Sequence, residues 1–322
     1  MNIVKYPNAF LSAGSLLLSS ALHKSIVGGM PPAISIELTN YCNLSCPECP
    51  SGAGTMKRKK GFMDLSLFKK TISELRPYLF NVNLYFQGEP LLHPSFYDFL
   101  AEIRGLHAVV STNGHFINAE SAKKIVTSGL KKIIISLDGP DQATYSRYRI
   151  NGNVENVIKG INELSAAKRH AASGIKIEIQ VLLNRFNEER LPEIRKIADD
   201  TGVGLVIKSM QFYNVERAGE WMPSDKRYCR YRFEKNNYEI RSSFPRRCAR
   251  LWLNPVVTWD MKVVPCCFDK DAEYIMGDLR SDSFREIWHG KNYSDFRKTI
   301  LTAREKIPIC CNCTSGMRNV RT

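Results

Sequence analysis

Thr39-Asn40-Tyr41-Cys42-Asn43-Leu44-Ser45-Cys46-Pro47-Glu48-Cys49-Pro50 directly follows an apolar, β-rich run at residues 33–38 and sets three cysteines in CxxxCxxC spacing. Five more runs of that kind lie at 81–86, 108–111, 131–137, 175–183 and 204–210. Helical patterns separate them, so the chain reads as six β/α units. Ile133-Ile134-Ile135 and similar runs are too continuously apolar for a sheet with one wet face, which predicts an α/β fold with a parallel sheet covered by helices. Helix starts are expected at Asp64 or Ser66, at Pro94, at Asn118, at Asn153 and near Glu188. In β/α barrels the loops at the carboxyl ends of the strands build the reactive site, and the cysteine segment is such a loop.

After residue 212 the alternation stops and the chain turns rich in Arg, Tyr and Cys. The expected organisation is an N-terminal helical extension over 1–32, a barrel over 33–212, a linker over 213–247 and a small cysteine-bearing domain over 248–322. Within that last part, Trp259-Asp260-Met261-Lys262 suggests a hairpin turn between 256–258 and 263–264, and 283–303 reads as one helix. A unit of roughly 75 residues gains stability from a bound metal centre.

The 322 residues are 43% hydrophobic and 24% charged, a balance that excludes a disordered or fibrous chain. The net charge of +14 suits an anionic partner. It is spread over short clusters, Lys57, Arg58, Lys59 and Lys60, then Arg227, Arg230 and Arg232, then Arg246, Arg247 and Arg250, each read first as solvated surface. The apolar stretch over 11–22 is interrupted by Ser12, Ser15, Ser19 and Ser20 and is too short to span a bilayer. It predicts an amphipathic helix that packs on the barrel or rests at a membrane surface.

Ten cysteines in a chain of this size point to metal ligands before disulfides. Three closely spaced thiolates can hold three irons of a cubane and leave the fourth iron open to another ligand. A zinc knuckle would want a fourth ligand at short spacing, whereas the next cysteine is Cys229 and the nearest histidines are His23 and His93. The other seven cysteines all follow residue 228.

The motif at Cys42, Cys46 and Cys49 resembles that of the radical S-adenosylmethionine (SAM) superfamily, and further pieces match in order across about 34–210. The resemblance implies a partial (β/α)6 TIM-like barrel. It implies a 4Fe-4S cluster on these cysteines, with SAM chelating the open iron and cleaved by one electron to methionine and a 5′-deoxyadenosyl radical. Gly88, Glu89 and Pro90 are similar to the segment that receives the SAM amino group. By the same resemblance Ser111, Thr112 and Asn113, and Ser136 and Asp138, lie near the ribose or the methionine carboxylate. Cys248, Cys266, Cys310 and Cys313 resemble the shortened twitch form of the SPASM domain, as in the amino-sugar dehydrogenase of butirosin biosynthesis and, more distantly, the molybdopterin-precursor synthase. Four thiolates there complete one auxiliary 4Fe-4S cluster. The full pattern expects a Gly where Asp260-Met261-Lys262 stands, Cys267 and Cys311 sit beside proposed ligands, and Cys229 is unassigned.

Substrate candidates are Arg147 and Arg149 after the fourth run, Gln180 on the fifth, and Gln211 and Tyr213 at the end of the sixth; an arginine suits a carboxylate or phosphate. The leading expectation is an oxidoreductase that removes a hydrogen atom from a polar or anionic substrate and passes the second electron to the auxiliary cluster. An external donor such as flavodoxin or ferredoxin would reduce the first cluster. The rivals are a peptide maturase and a modifier of carrier- or lipid-linked intermediates. Only 32 residues precede the first strand, so no leader-recognition domain is expected to be fused. A nucleic-acid-binding zinc or iron-sulfur module has only the basic charge in its favour. Low-potential cluster chemistry needs a reducing compartment, so a cytoplasmic location is expected, and a signal-peptide reading of the first 32 residues is set aside.

Overall fold

The computed structural model describes residues 4–317 and Val320, so the expected segments 1–32 and 248–322 reach, at their ends, residues outside the described ones. Strands are β1 (Ala33–Ile36), β2 (Asn81–Asn83), β3 (His107–Thr112), β4 (Lys132–Ser136), β5 (Lys176–Leu183), β6 (Gly204–Ser209), β7 (Tyr231–Glu234), β8 (Asn237–Ile240), β9 (Val256–Val257), β10 (Lys262–Val264) and β11 (Gly277–Asp278). Helices of six or more residues are α1 (Lys5–Leu22), α2 (Leu65–Leu75), α3 (Phe96–Glu102), α4 (Ala119–Thr127), α5 (Val154–His170), α6 (Leu191–Thr201), α7 (Phe284–His289) and α8 (Lys291–Ala303). From β1 to β6 the strand–helix order is that of a partial (β/α)6 barrel, in a mostly parallel α/β fold. The chain packs as two compact units: Met1–Tyr41, Met56–Val109 and Phe244–Ser315 form one, and Cys42–Thr55, Val110–Ser243 and Gly316–Thr322 the other.

In the first unit the strand order is β11-β10-β9-β1-β2-β3. β1 pairs parallel with β2 on one side and with β9 on the other, so the C-terminal hairpin extends the sheet begun by the first strand. Met261, at the turn where the sequence pattern expects Gly, adopts φ 68° in the left-handed region that favours glycine, and its side chain is buried. The expected single helix over 283–303 is two helices. Gly290, at φ −69° and ψ 167°, leaves helical geometry and separates α7 from α8. A buried ion pair joins Arg58 to Glu37 through two hydrogen bonds at 2.7 and 2.8 Å, so Arg58 is not the solvated surface charge expected of its cluster.

The helix α1 buries its small polar residues. Asn8 exchanges two 2.8 Å hydrogen bonds with Met30, the Ser12 hydroxyl donates to the Met30 carbonyl, and the hydroxyls of Ser15 and Ser19 accept from the backbone N–H groups of Gly28 and Ile26. Gly29 allows this approach, since a Cβ there would lie 2.4 Å from the Ser12 hydroxyl and 2.7 Å from the Asn8 carbonyl.

In the second unit β4, β5 and β6 pair in parallel, with Ile133 opposite Ile177 and Ile179 opposite Leu205. β4 is buried from Ile133 onward, as a strand covered on both faces should be. α4 starts on a capping box at Asn118 and α5 on an Asn153 cap. The expected linker contains the β7–β8 hairpin, whose turn residues Lys235 and Asn236 both have positive φ, as a two-residue I′ turn requires.

Candidate functional site

In the second unit the cysteine loop is held by its own backbone and by short polar contacts. The Cys49 N–H donates to the Cys46 carbonyl, and Pro50 then opens a short helix, Pro50–Ala53. The Ser45 N–H donates to the Ile150 carbonyl at 3.0 Å, the Asn151 amide donates to the Ser45 hydroxyl at 3.0 Å, and the Asn113 amide donates to Asn43 at 2.7 Å while lying 3.9 Å from Cys42 Sγ. Leu44 and Cys46 are buried in an apolar cluster with Tyr148, Met210, Phe212, Trp221 and Tyr231, and Cys42 and Cys49 pack against it. Glu48, buried within the loop, pairs with Arg217 at 2.8 Å.

Arg149 links this loop to the end of β4. Its Nε donates to Asp138 at 2.5 Å and its Nη1 lies 3.7 Å from Cys46 Sγ. The other Asp138 oxygen accepts from the Leu182 N–H at 2.7 Å. Burial pushes the Cys46 thiol up and the Arg149 charge opposes it, while Cys49 and Asp138 add to the rise. A guanidinium beside a coordinating sulfur withdraws charge from it, the outer-contact effect that tunes cluster potentials.

The remaining expected residues of this unit divide. Thr112, Asn113, Ser136 and Asp138 are buried, and Ser111 is half-buried. Ser136 and Gln180 are register partners on β4 and β5. Gln180 and Gln211 are half-buried and Tyr213 is exposed. Arg147 is exposed with its guanidinium 5.6 Å from the Phe186 ring centre, whereas Arg149 is committed to Asp138. Asn43, Tyr148 and Arg217 escaped the sequence reading; Asn43 lies between two cysteines, and nothing in the sequence marks Arg217. Cys229 is buried and its thiol donates to the Pro223 carbonyl at 3.2 Å.

In the first unit Gly88 has φ 71°, and a Cβ there would lie 2.5 Å from the Thr39 carbonyl oxygen and 2.7 Å from that of Tyr41. This close approach sets the Glu89 N–H on the Tyr41 carbonyl at 2.8 Å, and the buried Glu89 carboxylate caps the turn Pro90–Leu92. His93 follows: its Nδ1 accepts from the Ser95 N–H, so its Nε2 carries the proton and donates to the Met63 carbonyl at 2.9 Å.

Cys266, Cys310 and Cys313 are buried and Cys248 is half-buried. Burial first, then the neighbouring thiols, pushes Cys266 and Cys313 up. Cys310 is pushed up to about 12 by burial, with Arg304 opposing and Cys248, Cys313 and Cys311 adding. Each of these three thiols therefore feels Cys248. Cys311 is exposed, and its thiol donates to the Glu305 and Ile307 carbonyls. Arg250 is half-buried and carries the counter-charge: Cys267 raises it most, then Cys266, Cys313 and Cys248 add. Among the described residues no three metal-ligating side chains are drawn together closely enough to hold a single ion. Burial of Cys266, Cys310 and Cys313 makes their ionisation costly in the bare protein, and the iron of a cluster would offset that cost.

The radical SAM superfamily model matches residues 36–199, and the SPASM iron-sulfur cluster-binding domain model matches 248–314. The chain is 24% identical over 313 residues to the tungsten-containing aldehyde ferredoxin oxidoreductase cofactor-modifying protein of Pyrococcus furiosus, covering 87% of this chain and 86% of that one. It is 32% identical over 184 residues to mycofactocin maturase MftC of Mycobacterium tuberculosis, which is 56% of this chain and 45% of the maturase. It is similar in structure to BtrN in complex with AdoMet and 2-DOIA, with TM-score 0.56, 18% identity, and 92% and 98% of the two chains covered. Streptococcus suis SuiB bound to S-adenosylmethionine gives TM-score 0.65, 12% identity, and 95% and 77% coverage. At these identities the two structures share the fold. The first family model implies a 4Fe-4S cluster and SAM, and the second an auxiliary iron-sulfur cluster. The chain belongs to the radical SAM superfamily, as an enzyme with a C-terminal SPASM domain.

Proposed function

We propose that the protein is a radical SAM oxidoreductase that removes a hydrogen atom from a polar or anionic substrate and completes a two-electron oxidation. The observation that carries this reading is the match of residues 248–314, which hold Cys248, Cys266, Cys310 and Cys313, to the SPASM iron-sulfur cluster-binding domain. A cluster with four protein thiolates has no open iron for a substrate, so its role is electron transfer or structural support, and the oxidoreductase reading takes the first. When bound, SAM and its cluster supply the radical that takes the hydrogen atom, and the auxiliary cluster supplies the acceptor for the second electron.

The chain's own residues would then divide the work. Cys42, Cys46 and Cys49 hold the first cluster, and Glu89 receives the SAM ammonium group through its buried carboxylate. Ser111, Thr112, Asn113, Ser136 and Asp138 stand at strand ends where SAM's ribose and carboxylate would be met. Arg149 orients the Cys46 loop through Asp138, while Gln180, Gln211, Tyr213 and Arg147 remain for the substrate. The apolar cluster around Cys46 would limit the approach of water to that side of the first cluster.

A second reading, a peptide maturase, is favoured by the 32% identity to mycofactocin maturase over 184 residues. Deuterium transfer separates the two. Reduced enzyme and SAM are incubated with fractions of a deuterated cell extract, and 5′-deoxyadenosine is analysed for deuterium. Label from the small-molecule fraction, with an oxidised product that is lost in Cys266→Ala, supports the oxidoreductase. Label from the peptide fraction alone overturns it in favour of the maturase.

A further inference from the structure

The first helix turns its apolar side to solvent. From Tyr6 to Leu22 the sequence has no charged residue. The polar Asn8, Ser12, Ser15 and Ser19 face inward, where they are tied to residues 26–30. Tyr6, Phe10 and Leu17 form one outward stripe at 69%, 80% and 69% exposure, and Leu11, Leu18 and Leu22 form the adjoining one at 51–55%. Of the fifteen large apolar side chains exposed among the described residues, seven belong to α1 and its N-cap Val4, so this is a concentrated patch and not ordinary surface scatter.

Cations frame the patch. Lys5 opens α1, and Arg76 lies close enough to depress the Lys5 ammonium further after burial has done so. His23 and Lys24 follow the last turn, both exposed. Beside the first turns is a cleft of about 450 Å³ lined by Val4, Pro7, Leu11, Tyr78, Arg285 and His289. Arg285 is exposed there and donates to the Tyr78 hydroxyl at 2.9 Å. The nearby carboxylates are already engaged: Glu74 accepts from the Phe284 and Arg285 N–H groups, and Glu286 accepts from the Ser283 cap. No ion pair among the described residues joins Lys5, Lys24, Arg76 or Arg285 to a carboxylate, although Glu74 lies beside Arg285.

We propose that α1 docks the enzyme on a membrane surface containing anionic phospholipid, its apolar face lying in the plane of the interface and Lys5, Lys24 and Arg285 meeting the head groups. An 18-residue helix that is apolar on one side and cationic at its margins fits an in-plane position. No helix among the described residues is long and apolar enough to cross a membrane. The charge complementarity selects lipid over a second copy of this chain, which carries the same +14 charge. The docking is independent of the reaction assigned above, because α1 contributes no residue to either thiol group.

Vesicle flotation of the full, cluster-loaded protein tests this. Phosphatidylcholine vesicles are compared with vesicles containing about 30% phosphatidylglycerol. The protein should float with the anionic vesicles at least about tenfold better, and less well as salt rises. Phe10→Ser with Leu17→Ser should weaken flotation at least about tenfold, with melting temperature and iron content unchanged. Lys5→Glu with Arg285→Glu should weaken it on anionic vesicles only. No flotation, equal flotation with both vesicle types, or flotation untouched by the serine pair overturns the proposal. So does a concentration-dependent dimer in analytical ultracentrifugation that the serine pair dissolves while the wild type ignores vesicles, since a second copy then covers the face.

Discussion

Arg149 bridges Asp138 and Cys46, with its Nε 2.5 Å from the Asp138 carboxylate and its Nη1 3.7 Å from the Cys46 sulfur. The bridge places a positive charge beside one thiol of the CxxxCxxC loop and anchors it to the end of β4. The Asp138 oxygens are then divided between Arg149 and the Leu182 backbone, which fixes the geometry from both sides.

Replacing Arg149 by Lys keeps the charge but loses the planar fork. Iron content should be unchanged, while the first cluster's potential should fall by an amount on the order of tens of millivolts, because the sulfur loses a hydrogen-bond donor. Redox titration monitored by EPR checks this; an unchanged potential refutes a tuning role for Arg149.

The ring of His93 fixes a pH dependence. Burial holds its pKa below the ordinary 6.5, and its Nδ1 has no room for a proton while it accepts from Ser95. The unfolded chain therefore binds the proton more readily than the folded one. His93 contributes stability that is fully present above about 6.5 and is lost as pH falls through the depressed folded value. Denaturant unfolding at a series of pH values should show this loss, and His93→Gln should flatten it. An undiminished slope in that variant would contradict the assignment.

Met261 tests two opposing effects. A Gly there would relieve about 1–2 kcal/mol of left-handed strain. Removing a Met side chain that is 2% exposed costs about 2–5 kcal/mol. Burial outweighs the strain over most of these ranges, so Met261→Gly should destabilise the protein by up to about 4 kcal/mol in urea melts. A stabilised variant would show that the strain dominates.

Alternation of apolar runs, a local signal, made the six parallel strands legible, and their ends in the structure fall within three residues of the expected ones. The helix starts at Asn118 and Asn153 were legible because their side chains cap directly. Three features were not. The break at Gly290 is a single residue inside a continuous apolar period. The β7–β8 turn uses Lys235-Asn236 and lacks the glycine that usually marks a hairpin. The inward-facing serines of α1 are set by long-range bonds to residues 26–30, which no local pattern encodes. At the site the cysteines announced themselves by spacing. The Arg149–Cys46 and Arg217–Glu48 contacts join residues 103 and 169 positions apart and come only from the fold.

The adjacent cysteine pairs give a sharp contrast. Cys311 donates to two carbonyls at the surface while Cys310 is buried. Cys310→Ser should cost the protein about four irons, whereas Cys311→Ser should cost none. Iron and acid-labile sulfide assays decide, and the reverse result would exchange the two ligands.

The most direct test of the account is the iron content of anaerobically reconstituted protein. Two four-iron clusters predict about eight irons per chain in the wild type, and about four when Cys42, Cys46 and Cys49 are together changed to Ala. That triple variant should lose SAM cleavage entirely while keeping the auxiliary cluster's EPR signal. An unchanged iron count, or SAM cleavage that survives in the triple variant, would contradict the assignment of Cys42, Cys46 and Cys49 as the ligands of the SAM-binding cluster.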